Sequence, residues 1–344
     1  MKSGCTGISM LLTVLLVLFG IGALACHPWA STEEWNKVTL PTGCDLSSIS
    51  PQARWIVYGC ENDLWLAPFP SLQGATRIAQ DDATVRWERQ TVWMPDETAL
   101  LIESSPIGPE FELGTIWSVK TDSPLTKTKL FTYLSRGDLV WWAPDRSALL
   151  TLSMGGEVRL VGPDGSDRTL PIHGLIMRTP AIAWSPDSQH VAYIMDYSPP
   201  TLKSGVLNLT TLQSTVVYTD VGVPEWFPDG KTVALFQWNR IDAVGADGSG
   251  LQGSINIPKG FTTEGSVAWS RDGSRLAVYL RNDGPDYKPV AIGIVDWRKM
   301  AISAFEVDPN VRKILTWTSD ENSFIVLAHE DDGIEVLRKI PTAR

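Results

Sequence analysis

Six times along the chain a tryptophan closes a short apolar stretch, a polar turn follows, and an apolar run comes next. Trp93-Met94-Pro95-Asp96 leads into Ala99-Leu100-Leu101-Ile102, and Trp142-Ala143-Pro144-Asp145 into Ala148-Leu149-Leu150-Thr151-Leu152. Trp184-Ser185-Pro186-Asp187 leads into Val191-Ala192-Tyr193-Ile194, and Trp226-Phe227-Pro228-Asp229-Gly230 into Val233-Ala234-Leu235-Phe236. Trp269-Ser270-Arg271-Asp272-Gly273 precedes Leu276-Ala277-Val278-Tyr279, and Trp317-Thr318-Ser319-Asp320 precedes Phe324-Ile325-Val326-Leu327. A weaker first copy is Ile49-Ser50-Pro51-Gln52 before Trp55-Ile56-Val57-Tyr58. The run after each turn does not alternate apolar with polar. It reads as a strand covered on both faces. The fourth unit shows four strand candidates: 181–184, 191–194, 206–209 and 215–218. Pro-Asp-Gly or Pro-Asp-Ser supplies the turn between the first two.

The tryptophans recur at steps of 49, 42, 42, 43 and 48 residues, and Ile49 precedes Trp93 by 44. Fixed periods of this length mark solenoids or propellers. Stacking sheets radially covers both faces of each one and leaves one Trp per repeat between neighbours. The motif resembles the WD40-like repeats of TolB-type periplasmic proteins over residues 44 to about 340. That resemblance implies a β-propeller and protein partners in the cell envelope, and its motif is architectural rather than catalytic. The expected fold is all-β: a seven-bladed propeller of four-stranded blades. The last unit has room for three strands (313–316, 324–327, 334–337), and Asn36-Lys37-Val38-Thr39-Leu40 is an unassigned strand upstream. Pairing that strand with the last blade would close the ring and remove an open edge. A single propeller domain over 36–344 is expected, behind a signal peptide (1–25) and a tether (26–35).

Lys2 is the only formal charge in the first 32 residues, and Ile8 to Ala25 is an uncharged apolar segment. This reads as a secretory signal, and its length also suits an uncleaved anchor. Ala23-Leu24-Ala25-Cys26 resembles the lipobox of bacterial lipoproteins, with Leu24 one place late. That resemblance implies cleavage before Cys26, acylation of its thiol, and a membrane-anchored envelope protein facing the periplasm or the exterior.

Composition narrows the partners. The chain carries 29 Lys and Arg against 39 Asp and Glu, for a net charge of −10. With no basic run, nucleic acid is not an expected partner. Membrane contact is expected only through the N-terminal lipid or anchor, and the chain is expected to be a monomer. Hydrophobic content of 43% excludes a disordered chain. Once Cys5 and Cys26 are assigned to the leader, Cys44 and Cys60 remain. Antiparallel strands around a turn centred on residue 52 pair residues whose numbers sum to 104. Ile49 would then face Trp55, and Cys44 would face Cys60, so a disulfide is expected in an exported chain.

The chemistry is sparse. The histidines are His27, His173, His190 and His329, with no zinc-hydrolase spacing. There is no Gly-x-Ser-x-Gly elbow and no phosphate loop. The repeated acids Asp96, Asp145, Asp187, Asp229, Asp272 and Asp320 sit where an Asp opening a turn accepts backbone N–H groups, so they read as structure. Long segments between second and third strands are the candidate binding face. They carry Glu110, Phe111 and Glu112 in blade 2, and Asp196 and Tyr197 in blade 4. Blade 6 supplies Asp283, Asp286 and Tyr287, and blade 7 Glu330 and Asp331. Aromatics stiffened by Pro, with acids beside them, suit recognition of an envelope protein or a small ligand. The leading expectation is a non-catalytic binding platform without a cofactor. The alternative is a calcium-dependent propeller hydrolase, lactonase or lyase, whose metal ligands the sequence does not identify.

Overall fold

Turn chemistry alternating with apolar runs folds the chain into seven antiparallel sheets, each of four strands or strand positions. The computed structural model describes residues 35–344, apart from 89–90, 108–112, 125, 135–138, 154–155, 173–181, 197–202, 221, 283–288, 331–332 and 343–344. Blade 1 is Cys44–Ile49, Trp55–Cys60, Asp63–Pro68 and Thr76–Gln80. Blade 2 begins with a split strand, Val85–Trp87 and Val92–Trp93, then has Ala99–Pro106, Leu113–Lys120 and Lys127–Leu134. Blade 3 is Leu139–Trp142, Leu149–Leu152, Val158–Val161 and Asp167–Thr169. Blade 4 is Ile182–Trp184, His190–Asp196, Lys203–Asn208 and Ser214–Tyr218. Blade 5 is Val223–Trp226, Thr232–Phe236, Arg240–Gly245 and Gly250–Asn256. Blade 6 is Phe261–Trp269, Arg275–Asn282, Pro289–Asp296 and Ala301–Glu306.

Blade 7 takes Val311–Trp317, Ser323–His329 and Glu335–Pro341 from the C-terminal end and Lys37–Thr39 from the other. Lys37, Val38 and Thr39 pair with Arg338, Leu337 and Val336, which closes the ring as the repeat pattern predicts. Val38 and Leu40 are buried, so the short strand docks through side chains as well as backbone. Arg338 bridges Asp308 and Glu330, and Glu330 also meets Lys37.

The core is a set of seams between blades. Second strands such as Leu149–Leu152 and Thr232–Phe236 are buried at every residue. Fourth strands are the exposed rim, as in Asp167–Thr169. Apolar clusters span neighbouring blades, joining for example Leu150, Leu152 and Val158 of blade 3 to Val191, Tyr193 and Leu207 of blade 4. Each sheet is thus covered on both sides, which explains the unbroken apolar runs.

Cys44 and Cys60 are paired across the first two strands of blade 1 and form a disulfide with a Cα separation of 4.2 Å. The register is not the uniform one expected from the sequence. Ile49 faces Ile56, not Trp55, because the pairing shifts between Leu46 and Ser48. A bulge at Ser47 inserts one residue that counting from the turn does not see.

Candidate functional site

All seven turns between first and second strands open at one face of the ring, and second strands end at the other. At the motif face the carboxylates serve the chain. Asp96, Asp145, Asp187, Asp229, Asp272 and Asp320 each accept the backbone N–H two residues on, from Thr98, Ser147, Gln189, Lys231, Ser274 and Asn322. Hydrogen bonds from the Ser274 N–H and hydroxyl and the Ser270 hydroxyl hold the Asp272 carboxyl down at about 2. The residue after each motif position has positive φ: Ala53, Glu97, Arg146, Ser188, Gly230, Gly273 and Glu321. Glycine fills two of these sites for conformational reasons. Four of the others reach back to the preceding blade. Glu97 accepts from the backbone of Gln52 and pairs with Arg54. Arg146 donates to the Trp93 carbonyl, Ser188 accepts from the Asp145 N–H, and Glu321 accepts from the Arg271 N–H.

The motif tryptophans join blades in the same circular sense. The indole N–H of Trp93 donates to Ser48 Oγ, that of Trp184 to the Trp141 carbonyl, that of Trp226 to the Ala183 carbonyl and that of Trp317 to the Ala268 carbonyl. Each acceptor is the residue just before the motif Trp of the preceding blade, or before Ile49 in blade 1. In blade 5 that position is Glu225, and the Trp269 indole N–H faces its side chain. Burial pushes the Glu225 carboxyl up to about 7, against the pull of that indole. The equivalent residues elsewhere are Ser48, Val92, Trp141, Ala183, Ala268 and Thr316, so Glu225 is the one acid in the set.

Trp142 departs from the pattern: among the described residues its indole N–H has no acceptor, and its ring leans on Phe131 at 6.3 Å. Beside it lies a small, shallow crevice, open to solvent and lined by Leu101, Ile102, Glu103, Ile116, Val140 and Trp142. Glu103 accepts a hydrogen bond of 2.8 Å from the Tyr133 hydroxyl. Burial pushes its carboxyl up to about 7, the Tyr133 bond pulls the other way, and the charge of Glu88 adds to the rise. Gly114 makes this arrangement fit, since a Cβ there would stand 2.4 Å from Glu103 Oε1 and 2.7 Å from the Tyr133 ring. Glu103 stands three residues beyond the strand partner of Trp93. The matching residues in the other blades are Gly59, Leu152, Ile194, Phe236, Tyr279 and Leu327. Sequence reasoning passed over Glu103 and Glu225; aligning the units on the motif Trp would have exposed both.

Of the loop candidates, Glu110, Phe111, Glu112, Tyr197, Asp283, Asp286, Tyr287 and Asp331 lie outside the described residues. Asp196 ends the second strand of blade 4, paired with Lys203. Glu330 belongs to the ring closure, where hydrogen bonds from Lys37 and Arg338 hold its carboxyl below the usual range. His190 opens the second strand of blade 4, paired with Asn208 and near Asp187, and His329 contacts Glu335 at 3.0 Å. Asp164 and Asp167 are separately engaged, with the Ser166 N–H and with Arg159. Among the described residues no group of three His, Cys, Asp or Glu is arranged to hold a metal. The loop face does present one aromatic the sequence reading did not single out: Trp238, between the second and third strands of blade 5, is 65% exposed.

No family model matches the chain, and no curated protein matches it. Among solved structures it is similar to the β-propeller domain of Cps50 (Swd1) from Myceliophteria thermophila, with a TM-score of 0.60 and 11% identity. That similarity covers 89% of this chain and 99% of the other. The fold is a WD40-like β-propeller. At this identity the likeness speaks for the fold alone.

Proposed function

We propose that this propeller is a non-catalytic binding platform of the cell envelope, exported, tethered through lipidated Cys26, and engaging a protein or small ligand with the face opposite the motif turns. The observation that carries this reading is an asymmetry of charge. The segments between second and third strands (61–62, 107–112, 153–157, 197–202, 237–239, 283–288 and 330–334) hold nine acids against one base, Lys288. The motif turns (50–54, 94–98, 143–148, 185–189, 227–231, 270–274 and 318–322) hold eight acids against four bases, and all eight accept hydrogen bonds from the chain itself. Acids and aromatics concentrated in the connections between second and third strands suit recognition of a partner with cationic groups. The resemblance of the repeats to TolB-type proteins supports an envelope protein as that partner.

The test has two arms. Radiolabelled palmitate should enter the wild type and not Cys26→Ser; equal labelling removes the tether. Replacing Phe111, Tyr197, Trp238 and Tyr287 together by Ser should abolish capture of the partner from envelope extracts while leaving the thermal transition nearly unchanged. Capture that survives this change, or that is lost instead on Asp187→Ala, overturns the assignment of the face.

A further inference from the structure

Each blade ends in a rim strand with an outer backbone edge, and such an edge is a template for another strand unless something blunts it. Among the described residues, six of the seven rim strands are blunted. Those of blades 3 and 7, Asp167–Thr169 and Lys37–Thr39, are three residues long and carry charge. In blades 1, 2, 4 and 5 the register is interrupted where Thr76–Gln80, Lys127–Leu134, Ser214–Tyr218 and Gly250–Asn256 meet their neighbours. An inserted residue bends a strand and breaks its row of unpaired groups. Arg77 adds charge in blade 1, and Lys127 and Lys129 in blade 2. Blade 6 has none of these devices along its length. Ala301–Glu306 runs for six residues in unbroken register with Ala291–Asp296. Its first five residues are uncharged, and Ala301, Ser303 and Ala304 are small and exposed. Charge stands only at its ends. Arg298 and Lys299, with side chains 76% and 78% exposed, lie in the turn before it, beside Asp272 and Asp296. The exposed Glu306 closes it.

We infer that Ala301–Glu306 is the edge through which two copies of this chain pair, strand against strand and antiparallel. The charged ends argue for a second copy as the occupant. Antiparallel pairing lays Glu306 of one copy beside the Arg298-Lys299 turn of the other, and does so twice around a two-fold axis. Parallel pairing would set acid beside acid and base beside base. Outward-pointing backbone groups recur at every second residue, so residues that pair across the axis have numbers of the same parity. The axis then falls on one residue near the middle of the strand, Ser303 or Ala304. A chain of net charge −10 repels its own copy, and an uncharged edge is where that repulsion is least. One unguarded edge per copy closes the assembly at a dimer rather than a fibre. The inference goes beyond the platform reading, depends on neither the loop face nor the tether, and exchanges the expected monomer for a dimer.

The test is sedimentation equilibrium of the full chain in a density-matched neutral detergent. A reversible monomer–dimer equilibrium is expected, and Ala304→Lys should weaken it by about tenfold or more while leaving the thermal transition in place. Glu306→Lys in one variant, and Arg298→Glu with Lys299→Glu in another, should each weaken self-association, because each sets like charges together. An equimolar mixture of these two variants should restore pairing, since both ends of the mixed dimer are then complementary. That restoration also shows that both variants have kept their fold. Ser303→Cys or Ala304→Cys, whichever lies on the axis, should give a disulfide-linked dimer on oxidation. Thr128→Cys, on the exposed rim of blade 2, should not. Monomer alone at concentrations up to about 0.1 mM would overturn the inference. So would a dimer untouched by Ala304→Lys, a mixture no better paired than its components, or linkage through Thr128→Cys as efficient as through the blade 6 cysteines.

Discussion

In the motif turns Asp96, Asp187 and Asp272 stand at equivalent places, accept equivalent backbone N–H groups, and are held below the ordinary carboxylate range. In the seams, Glu103 between blades 2 and 3 and Glu225 between blades 5 and 6 occupy places where other blades carry no acid, and burial pushes both up to about 7. The first set supports the fold when ionised, and the second opposes it when ionised. A repeat protein makes this contrast readable, because the other blades are internal controls for each position. What recurs is architecture, and a departure that costs stability asks for another reason.

The contrast can be broken first at the tryptophans. Trp226 is buried and bonded across its seam, whereas Trp238 is exposed on the loop face. Trp226→Ala should cost about 3–5 kcal/mol in denaturant unfolding, and Trp238→Ser should stay within about 0.5 kcal/mol. Comparable losses at the two sites would remove the distinction between ring and face. Next comes the disulfide: replacing Cys44 and Cys60 together by Ser should cost about 3 kcal/mol for a bridge of sequence separation 16. Free, alkylatable thiols at both positions in protein from an oxidising compartment would show that blade 1 does not depend on it.

A smaller effect is expected in the motif turns. Asp187→Ala should cost about 1 kcal/mol near neutral pH by removing the acceptor for Gln189 and Ser185. Partial burial works against the ionised form of Asp187, but the Ser185 and Gln189 bonds outweigh it and its pKa is lowered. Its contribution is therefore present above the unfolded value near 3.8 and is lost as pH falls through the lower folded value. A loss that grows with rising pH would contradict this sign.

Much of the architecture was legible because it repeats. The Trp spacing locates the blades, the apolar runs locate the covered strands, and the leftover strand at 36–40 points to the closure. The Cys44 to Cys60 pairing follows from counting back from the turn, yet the same count misplaces Ile49, since the bulge at Ser47 leaves no mark in composition. Trp238 escaped attention because its segment is short, and length was the signal used for the other loops. Glu103 and Glu225 escaped because each is an ordinary residue in its own neighbourhood. Their meaning lies in a comparison down the blades and in a burial that sequence alone does not measure.

The measurement that bears most directly on this account is the unfolding free energy of Glu103→Gln against wild type at pH 5 and pH 8. The folded pKa of Glu103, at about 7, lies above its ordinary 4.5, so its favourable contribution belongs to low pH and is lost as pH rises through that interval. Gln keeps an acceptor for the Tyr133 hydroxyl and cannot ionise. The variant should therefore gain about 2–3 kcal/mol on wild type between pH 5 and pH 8 and be the more stable protein at pH 8. A variant that is less stable than wild type at pH 8 would make Glu103 a structural residue like the motif aspartates, and would contradict the account.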